Sequence, residues 1–226
     1  MRVSVIIAAY NAEAYIAEAI ESVLGQTVPP FEVIVLDDGS TDGTRASLDR
    51  FGDHIVALSQ TNSGQAVAVN RGVATARGEL IGFCDADDLW TAHKLSMQLS
   101  LLAHDSDIEA AFGMVQQFVS PDVPQTHRAR LEPAVEIMPG ELKQCMLIRR
   151  ATLDRIGPFD ESLPATFFIA WLGRAKQSGL KFAHVDEVVV RRRLHLGNGG
   201  RLHTEAQNLQ TLMALRQAIK ARRPQE

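Results

Sequence analysis

The first seven residues after Arg2, Val3-Ser4-Val5-Ile6-Ile7-Ala8-Ala9, are apolar and β-branched almost throughout. An apolar run of that kind predicts a strand covered on both faces, as in a parallel sheet. Tyr10-Asn11 ends it. Over 12–24, apolar residues fall at Tyr15, Ile16, Ala19, Ile20, Val23 and Leu24, which is helical spacing, and Gly25 with Pro29-Pro30 closes the segment. Residues 31–36 predict a second buried strand. It ends in Asp37-Asp38, and Ser40, Thr41 and Asp42 are each suitable N-caps for a helix reaching Phe51. A short strand over 55–58, a turn at Asn62-Ser63-Gly64, a helix over 65–76 closed by Arg77-Gly78, and a fourth strand over 79–84 follow.

Strand and helix therefore alternate through residue 90, the pattern of a parallel sheet with helices on both faces. Beyond Trp90 the pattern loosens. It predicts a helix over 92–102 capped by Thr91, a strand over 110–119, and a proline-rich loop over 120–139. A strand at 146–148, short helices over 152–157 and 166–178, and a strand over 185–190 come next. Arg191-Arg192-Arg193-Leu194-His195, a glycine-rich turn over 197–200 and an amphipathic helix over 205–222 complete the chain. The expectation is one α/β domain with a mostly parallel, Rossmann-like sheet. Its parts are a first half over 1–90, a smaller second half over 91–204 and a terminal helix over 205–226.

Composition narrows the partners more than the fold. The 226 residues carry 46 % hydrophobic and 22 % charged side chains, ordinary values for a globular protein. A net charge of −4 argues against a general nucleic-acid binder. No run approaches the ~20 apolar residues of a membrane span. Cys84 and Cys145 form no motif, which fits a reducing compartment, and the expected location is cytoplasmic.

The chemistry concentrates where apolar runs stop. Leu80-Ile81-Gly82-Phe83-Cys84 ends in Asp85-Ala86-Asp87-Asp88, three carboxylates in four residues. Unpaired charges cannot enter the core, so these groups belong at the strand's exit, with something positive to hold them. A divalent cation suits carboxylate oxygens, and a solvated acidic turn is the plain alternative. Ligands of parallel sheets bind at the strands' carboxyl ends. Tyr10-Asn11, Asp37-Asp38 and Asp85–Asp88 should therefore meet on one rim.

Several separated blocks resemble family 2 glycosyltransferases of the GT-A fold. They are the opening strand through Tyr10-Asn11, the stretch Asp37-Asp38-Gly39-Ser40-Thr41-Asp42-Gly43-Thr44, Asn62-Ser63-Gly64, Asn70-Arg71-Gly72 with Ala76-Arg77-Gly78-Glu79, the DxD-type Asp85-Ala86-Asp87-Asp88, Gly157-Pro158-Phe159-Asp160-Glu161 and Arg193-Leu194-His195. The resemblance spans about residues 2–198. It implies inverting transfer of a sugar from a nucleotide-diphosphate sugar, often UDP-linked, to an acceptor hydroxyl on a saccharide, lipid-linked or peptide acceptor, with Mg2+ or Mn2+. It implies a nucleotide site at Ala8, Ala9, Tyr10, Asp38, Gly64, Asp85 and Ala86. Asp87, with Asp85 and His195, would hold the metal, and Arg193 and Trp171 would face the diphosphate or acceptor. For Trp171 packing is the commoner role, His195 serves equally as a structural or solvated group, and Arg193 equally as part of a solvated strand end.

One block departs from the family. The acidic residues that normally deprotonate the acceptor fall on Phe167, Phe168 and Ala170, while Trp171, Arg174 and Gly179 around them are kept. A phenyl ring accepts no proton, and loss of a general base costs ~10²–10⁴-fold in rate. Three expectations stand side by side. Another acid (Asp160, Glu161 or Asp88) serves as base, or the reaction needs no strong base, or the chain is a pseudoenzyme that binds donor without efficient turnover. The two phenylalanines are either core or an apolar acceptor surface.

Overall fold

A computed structural model describes residues 1–198. The predicted helix over 205–222 and the last two residues of the glycine turn lie outside the described residues. Among the described residues nine strands form one sheet: β1 (Val3–Ala9), β2 (Glu32–Asp37), β3 (Val56–Ser59), β4 (Leu80–Asp85), β5 (Leu89–Trp90), β6 (Ala110–Val119), β7 (Ile137–Pro139), β8 (Leu147–Arg149) and β9 (Phe182–Leu194). The helices are α1 (Ile16–Leu24), α2 (Thr44–Asp49), α3 (Gln65–Thr75), α4 (Lys94–His104), α5 (Gln125–Leu131), α6 (Arg150–Ile156) and α7 (Phe167–Gln177). The strand order is β3-β2-β1-β4-β8-β6-β9-β5, with β7 alongside β6. β1, β2, β3 and β4 are parallel, as the alternation requires, and β6 with β9 is a second long parallel ladder. The antiparallel pairings at β4–β8, β6–β8, β5–β9 and β6–β7 join only two or three residue pairs each.

The central strands are buried because both faces are covered. Val5, Ile7, Ile34, Val35, Leu36, Ile81 and Phe83 have essentially no exposed surface. Helix α3 crosses β1 and β2 at Gly72, where a Cβ would stand 2.5 Å from Ile6 Cγ2 and 3.1 Å from a Leu36 methyl. The glycine of the Asn70-Arg71-Gly72 block is thus a packing requirement of the sheet.

Three expectations need correcting. Helix α1 begins at Ile16 and not near residue 12, because 11–13 are stitched to the loop after β2. Ala12 N donates to Thr44 Oγ1 at 2.8 Å, Thr41 N to Asn11 Oδ1 at 2.8 Å and Gly43 N to a Glu13 carboxylate oxygen at 2.8 Å. Within this stretch Asp42 Oδ1 accepts from Thr44 N at 3.0 Å and Thr44 Oγ1 at 2.6 Å, Asp37 Oδ1 accepts from Ser40 N at 3.0 Å, and Ser40 Oγ accepts from Asn11 N at 2.9 Å. The segment 120–139 is not a bare loop. It folds into α5 and β7, with Val123 and Leu131 packed on Val119 and Leu194 in a small cluster of their own. Strand β9 is longer at both ends than 185–190, since it pairs along nearly the whole of β6.

Lys94 in α4 is fully buried. Its ammonium donates to Gln98 Oε1 at 2.9 Å and Cys145 O at 3.0 Å and lies 4.7 Å from the Trp90 ring centre, with no carboxylate partner among the described residues. Burial lowers its pKa from 10.5 to about 8. The unfolded chain therefore holds this proton more tightly. The resulting stability is complete above pH 10.5 and is lost as pH falls through about 8.

Two outcomes follow for stability. Urea unfolding of Lys94→Met should lack a rise on the order of 3 kcal/mol that the native protein gains between pH 8 and 10.5; parallel pH profiles for the two proteins would contradict this. Gly72→Ala should cost about 1–3 kcal/mol through overpacking. Gly173→Ala, in α7 with nothing within 4 Å of the added carbon, should be neutral or stabilise by about 0.5–1 kcal/mol.

Candidate functional site

The carboxyl ends of β1, β2 and β4 finish level with one another: Ala9 pairs with Asp37, and Ala8 with Asp85. The expected convergence of strand ends is therefore present. Tyr10 is half exposed on this rim. Asp38 is buried, and its carboxylate closes the rim's far side. It accepts from Gln60 Nε2 at 2.7 Å, Ser63 N at 2.9 Å and Gly64 N at 2.8 Å. Gly64 has φ +94°, a conformation glycine adopts without strain, and it leads directly into α3. Asp38 thus clamps the 60–64 turn to the end of β2.

Each carboxylate after β4 has its own partner from the second half of the chain. Asp85 forms an ion pair with Lys143 and accepts a longer bond from Gln65 Nε2 at 3.3 Å. Asp87 accepts from His195 Nε2 at 3.0 Å and Asn198 Nδ2 at 3.1 Å, both on Oδ2. Asp88 is buried, accepting from Gln144 Nε2 at 3.0 Å and Arg193 N at 2.9 Å. Burial, then the charges of Asp87 and Asp85, raise its pKa well above the usual carboxylate value.

Arg193 holds these segments together. Its guanidinium donates to Asp87 O at 3.0 Å and Ser120 Oγ at 3.2 Å, pairs with Glu18 on α1, and lies over the Tyr15 ring at 4.7 Å. It is almost wholly buried, so its chemistry is spent inside the protein. Arg191, two positions back on the same face of β9, is exposed and lies over the Phe118 ring at 4.7 Å, while alternation sends Arg192 to the opposite face. Trp171 is fully buried, with its ring N–H donated to Gly157 O at 2.9 Å. Its place is packing, beneath the rim.

Phe167 and Phe168 are core residues. Phe167 meets the Phe159 ring edge-on at 5.4 Å, Phe168 stacks on Trp171 at 6.2 Å, and Phe159 in turn meets Phe83 on β4 at 5.9 Å. The expectation of an apolar acceptor surface is therefore replaced by core filling, and only Ile169 in that turn is well exposed. Of the alternative acids, Asp88 is sealed by Gln144 and Arg193, and Asp160 is held below the usual carboxylate range by the Ser162 hydroxyl and backbone N–H. Glu161 is exposed, with one oxygen accepting from Asn70 Nδ2 at 2.9 Å.

Among the described residues no group of three or more His, Cys, Asp or Glu side chains is arranged to hold a metal ion. Asp87 with His195 still fits an ion of the Mg2+ type, which binds through one or two protein ligands and completes its shell with phosphate oxygens and water. Asp85 is already neutralised by Lys143. Both thiols are buried and inert: burial raises that of Cys84 well above its usual value and that of Cys145 to about 12.

Sequence reasoning missed Lys143, Gln144, Asn198 and Glu18. A signal for the first two existed. Lys143-Gln144 abuts the apolar run Cys145-Met146-Leu147-Ile148, the same boundary of polar against buried that marked Asp37-Asp38 and Asp85.

A model of the family described as "Glycosyl transferase family 2" matches residues 4–158. An uncharacterized glycosyltransferase of Rickettsia typhi is 31% identical over 205 residues, covering 85% of this chain and 64% of its own. An Escherichia coli protein named as a UDP-Glc:α-D-GlcNAc-diphosphoundecaprenol β-1,3-glucosyltransferase is 30% identical, covering 87% and 78%. The chain spans only 31% and 64% of the first two relatives it matches. Among solved structures, a mannosyltransferase from Pyrobaculum calidifontis in complex with GDP-Man and Mn2+ superposes with a TM-score of 0.73 at 22% identity, covering 97% of this chain and 64% of that one. Staphylococcus aureus TarS 1–349 with UDP-GlcNAc gives 0.69 at 22%, covering 88% and 60%. These likenesses show a shared GT-A fold.

Removing the Arg193 guanidinium deletes three donated hydrogen bonds from a buried position. Arg193→Met should lower unfolding stability by about 2–3 kcal/mol, and Arg193→Lys, which lacks the planar fork, should recover less than half. A denaturation midpoint unchanged by Arg193→Met would contradict this placement.

Proposed function

The chain belongs to glycosyl transferase family 2, and from that premise we propose that it moves a sugar from a nucleoside diphosphate sugar, UDP-linked, to an acceptor hydroxyl with inversion. The observation that carries this reading is the rim itself. Three parallel strands end level, and beyond them stand a clamped turn at 60–64, an Asp87–His195 pair and a buried frame that holds both. Ala8, Ala9 and Tyr10 form one wall of the nucleotide pocket, and Asp38 and Gly64 the other. Ala86 and Asp85 form its floor toward the diphosphate. The E. coli relative's printed acceptor supports a lipid-linked saccharide as the acceptor class. No helix among the described residues is long and apolar enough to cross a membrane, so such an acceptor would be met at a surface.

In the transfer, the acceptor oxygen bonds to the anomeric carbon while the bond from that carbon to the diphosphate breaks. The electron pair leaves with the diphosphate, and the hydroxyl proton goes to a base. Asp87 and His195 are the residues that would hold Mg2+ or Mn2+. When bound, such an ion supplies positive charge to the diphosphate oxygens as a Lewis acid. The Arg193 frame keeps Asp87 and Asp88 in place without touching donor. Asp160 and Glu161 are both exposed on the Gly157–Glu161 block; Asp160 is tied to the Ser162 hydroxyl and N–H, whereas Glu161 can turn from Asn70 toward an acceptor.

A second reading rests on a specific observation. The family's base positions are Phe167, Phe168 and Ala170, and the two phenylalanines are sunk in the core. Binding of donor without efficient turnover follows if Glu161 does not act. The expected loss is ~10²–10⁴-fold in rate.

Calorimetry with UDP and Mn2+ should show binding that Asp87→Ala weakens at least about tenfold, the scale of one lost charged contact. Absence of nucleoside diphosphate binding with metal present would overturn the donor reading. Glu161→Gln separates the two catalytic readings. It should abolish transfer while leaving UDP affinity unchanged, and undiminished transfer would remove Glu161 as the base.

A further inference from the structure

The rim contains a cation that the metal reading does not use. Lys143 sits on a single 3-10 turn, Lys143–Cys145, that crosses the end of β4. Gly140 permits the approach: a Cβ there would stand 2.6 Å from Cys145 Sγ and 2.7 Å from Gly113 O. The same turn sends Gln144 to Asp88 and the Lys143 ammonium to Asp85. The Lys143 side chain is only 6% exposed, whereas that of Asp85 is 22% exposed.

An ammonium has three N–H donors. Among the described residues the Lys143 ammonium makes one hydrogen bond, to Asp85 Oδ1, and otherwise faces the Phe83 ring at 5.9 Å. Lys94, the other buried lysine of this region, takes two acceptors and a closer ring. Lys143 is therefore under-satisfied at the place where the strand ends open to ligand. Asp85 is at the register position of Ala8, so the ammonium stands beside the proposed nucleotide wall.

We propose that Lys143 is a resident cation of the donor site, whose two remaining N–H groups take the diphosphate next to it, so that donor binding keeps a component independent of metal. This rests on the donor reading above. A fixed ammonium in a partly dry site needs no reorganisation when charge develops on the leaving diphosphate. Asp85 holds it in position, and Gln65 helps fix Asp85. The division of labour is then Lys143 on the Asp85 side and Asp87 with His195 on the other. A lysine that served only to neutralise Asp85 would leave nucleotide affinity unmoved when it is replaced in a folded Asp85→Asn background, where no bare carboxylate remains to repel the diphosphate.

The test is UDP calorimetry on the full chain, native and as Lys143→Met and Lys143→Arg, each in Mn2+ and in EDTA, with thermal melting to confirm folding. The native protein should bind UDP in EDTA, more weakly than in Mn2+. Lys143→Met should lose about tenfold or more of the EDTA affinity, and Asp85→Asn/Lys143→Met should lose as much relative to Asp85→Asn, where no bare carboxylate repels the diphosphate, while Lys143→Arg, which keeps the charge, should retain most of it. If the native protein binds UDP in Mn2+ but not in EDTA, or if folded Lys143→Met binds in EDTA as tightly as native, the role of Lys143 is overturned and the donor reading stands. If the native protein binds UDP under neither condition, both fall. Should Lys143→Met not fold, the comparison of native with Lys143→Arg in EDTA decides, and loss of binding in the arginine variant counts against the proposal.

Discussion

Three carboxylates at the end of one buried strand set the problem that the rest of this structure solves. Asp85, Asp87 and Asp88 lie too close together to share a dry environment unless each is compensated separately. The chain supplies a different partner to each: an ammonium from the turn at 143, an imidazole and an amide from beyond β9, and an amide with a backbone N–H for the one that is sealed inside. All of these partners come from the second half of the chain. The acidic strand end is therefore one of the points where the two halves are joined, beside the β4–β8 and β5–β9 ladders. It is also where acidic side chains remain partly open to solvent, since those of Asp85 and Asp87 are partly exposed and that of Asp88 is not.

The two halves were unequally legible in sequence. In the first, β-branched runs buried on both faces leave little choice of element, and the apolar-to-acidic boundary at each strand end marks the rim directly. The start of α1 was misplaced because loop 11–13 bonds to residues 41–44 about thirty positions away, a tertiary demand that helical spacing does not encode. In the second half, β8 is legible from the apolar run Cys145–Ile148, but β7 has only three residues and all three are exposed, held by pairing with β6. Short strands stabilised by pairing carry little pattern of their own. The same holds for site residues. Asp87 and His195 were visible from their motifs. Lys143, Gln144 and Asn198 act through contacts far apart in sequence, with nothing periodic around them.

The phenylalanines at 167 and 168 show how a site can lose one function without loss of fold. The ring of Phe159, from the Gly157–Glu161 block, packs on Phe83 beneath the acidic strand end and on Phe167, Phe168 and Trp171 in α7. The helix that would carry a base instead braces the floor under the donor rim. On the proposed function, donor binding and proton abstraction would rest on separable parts of the molecule, the rim for the first and a carboxylate outside α7, such as Glu161, for the second.

The most direct measurement is a crystal structure of the protein with UDP and Mn2+. The account predicts the uridine along Ala8–Tyr10 and the 60–64 turn, the diphosphate between Lys143 on one side and Asp87 with His195 on the other, and Asp88 unmoved on Gln144. A nucleotide bound away from the β1, β2 and β4 ends, or a diphosphate that touches none of Lys143, Asp87 and His195, would contradict it.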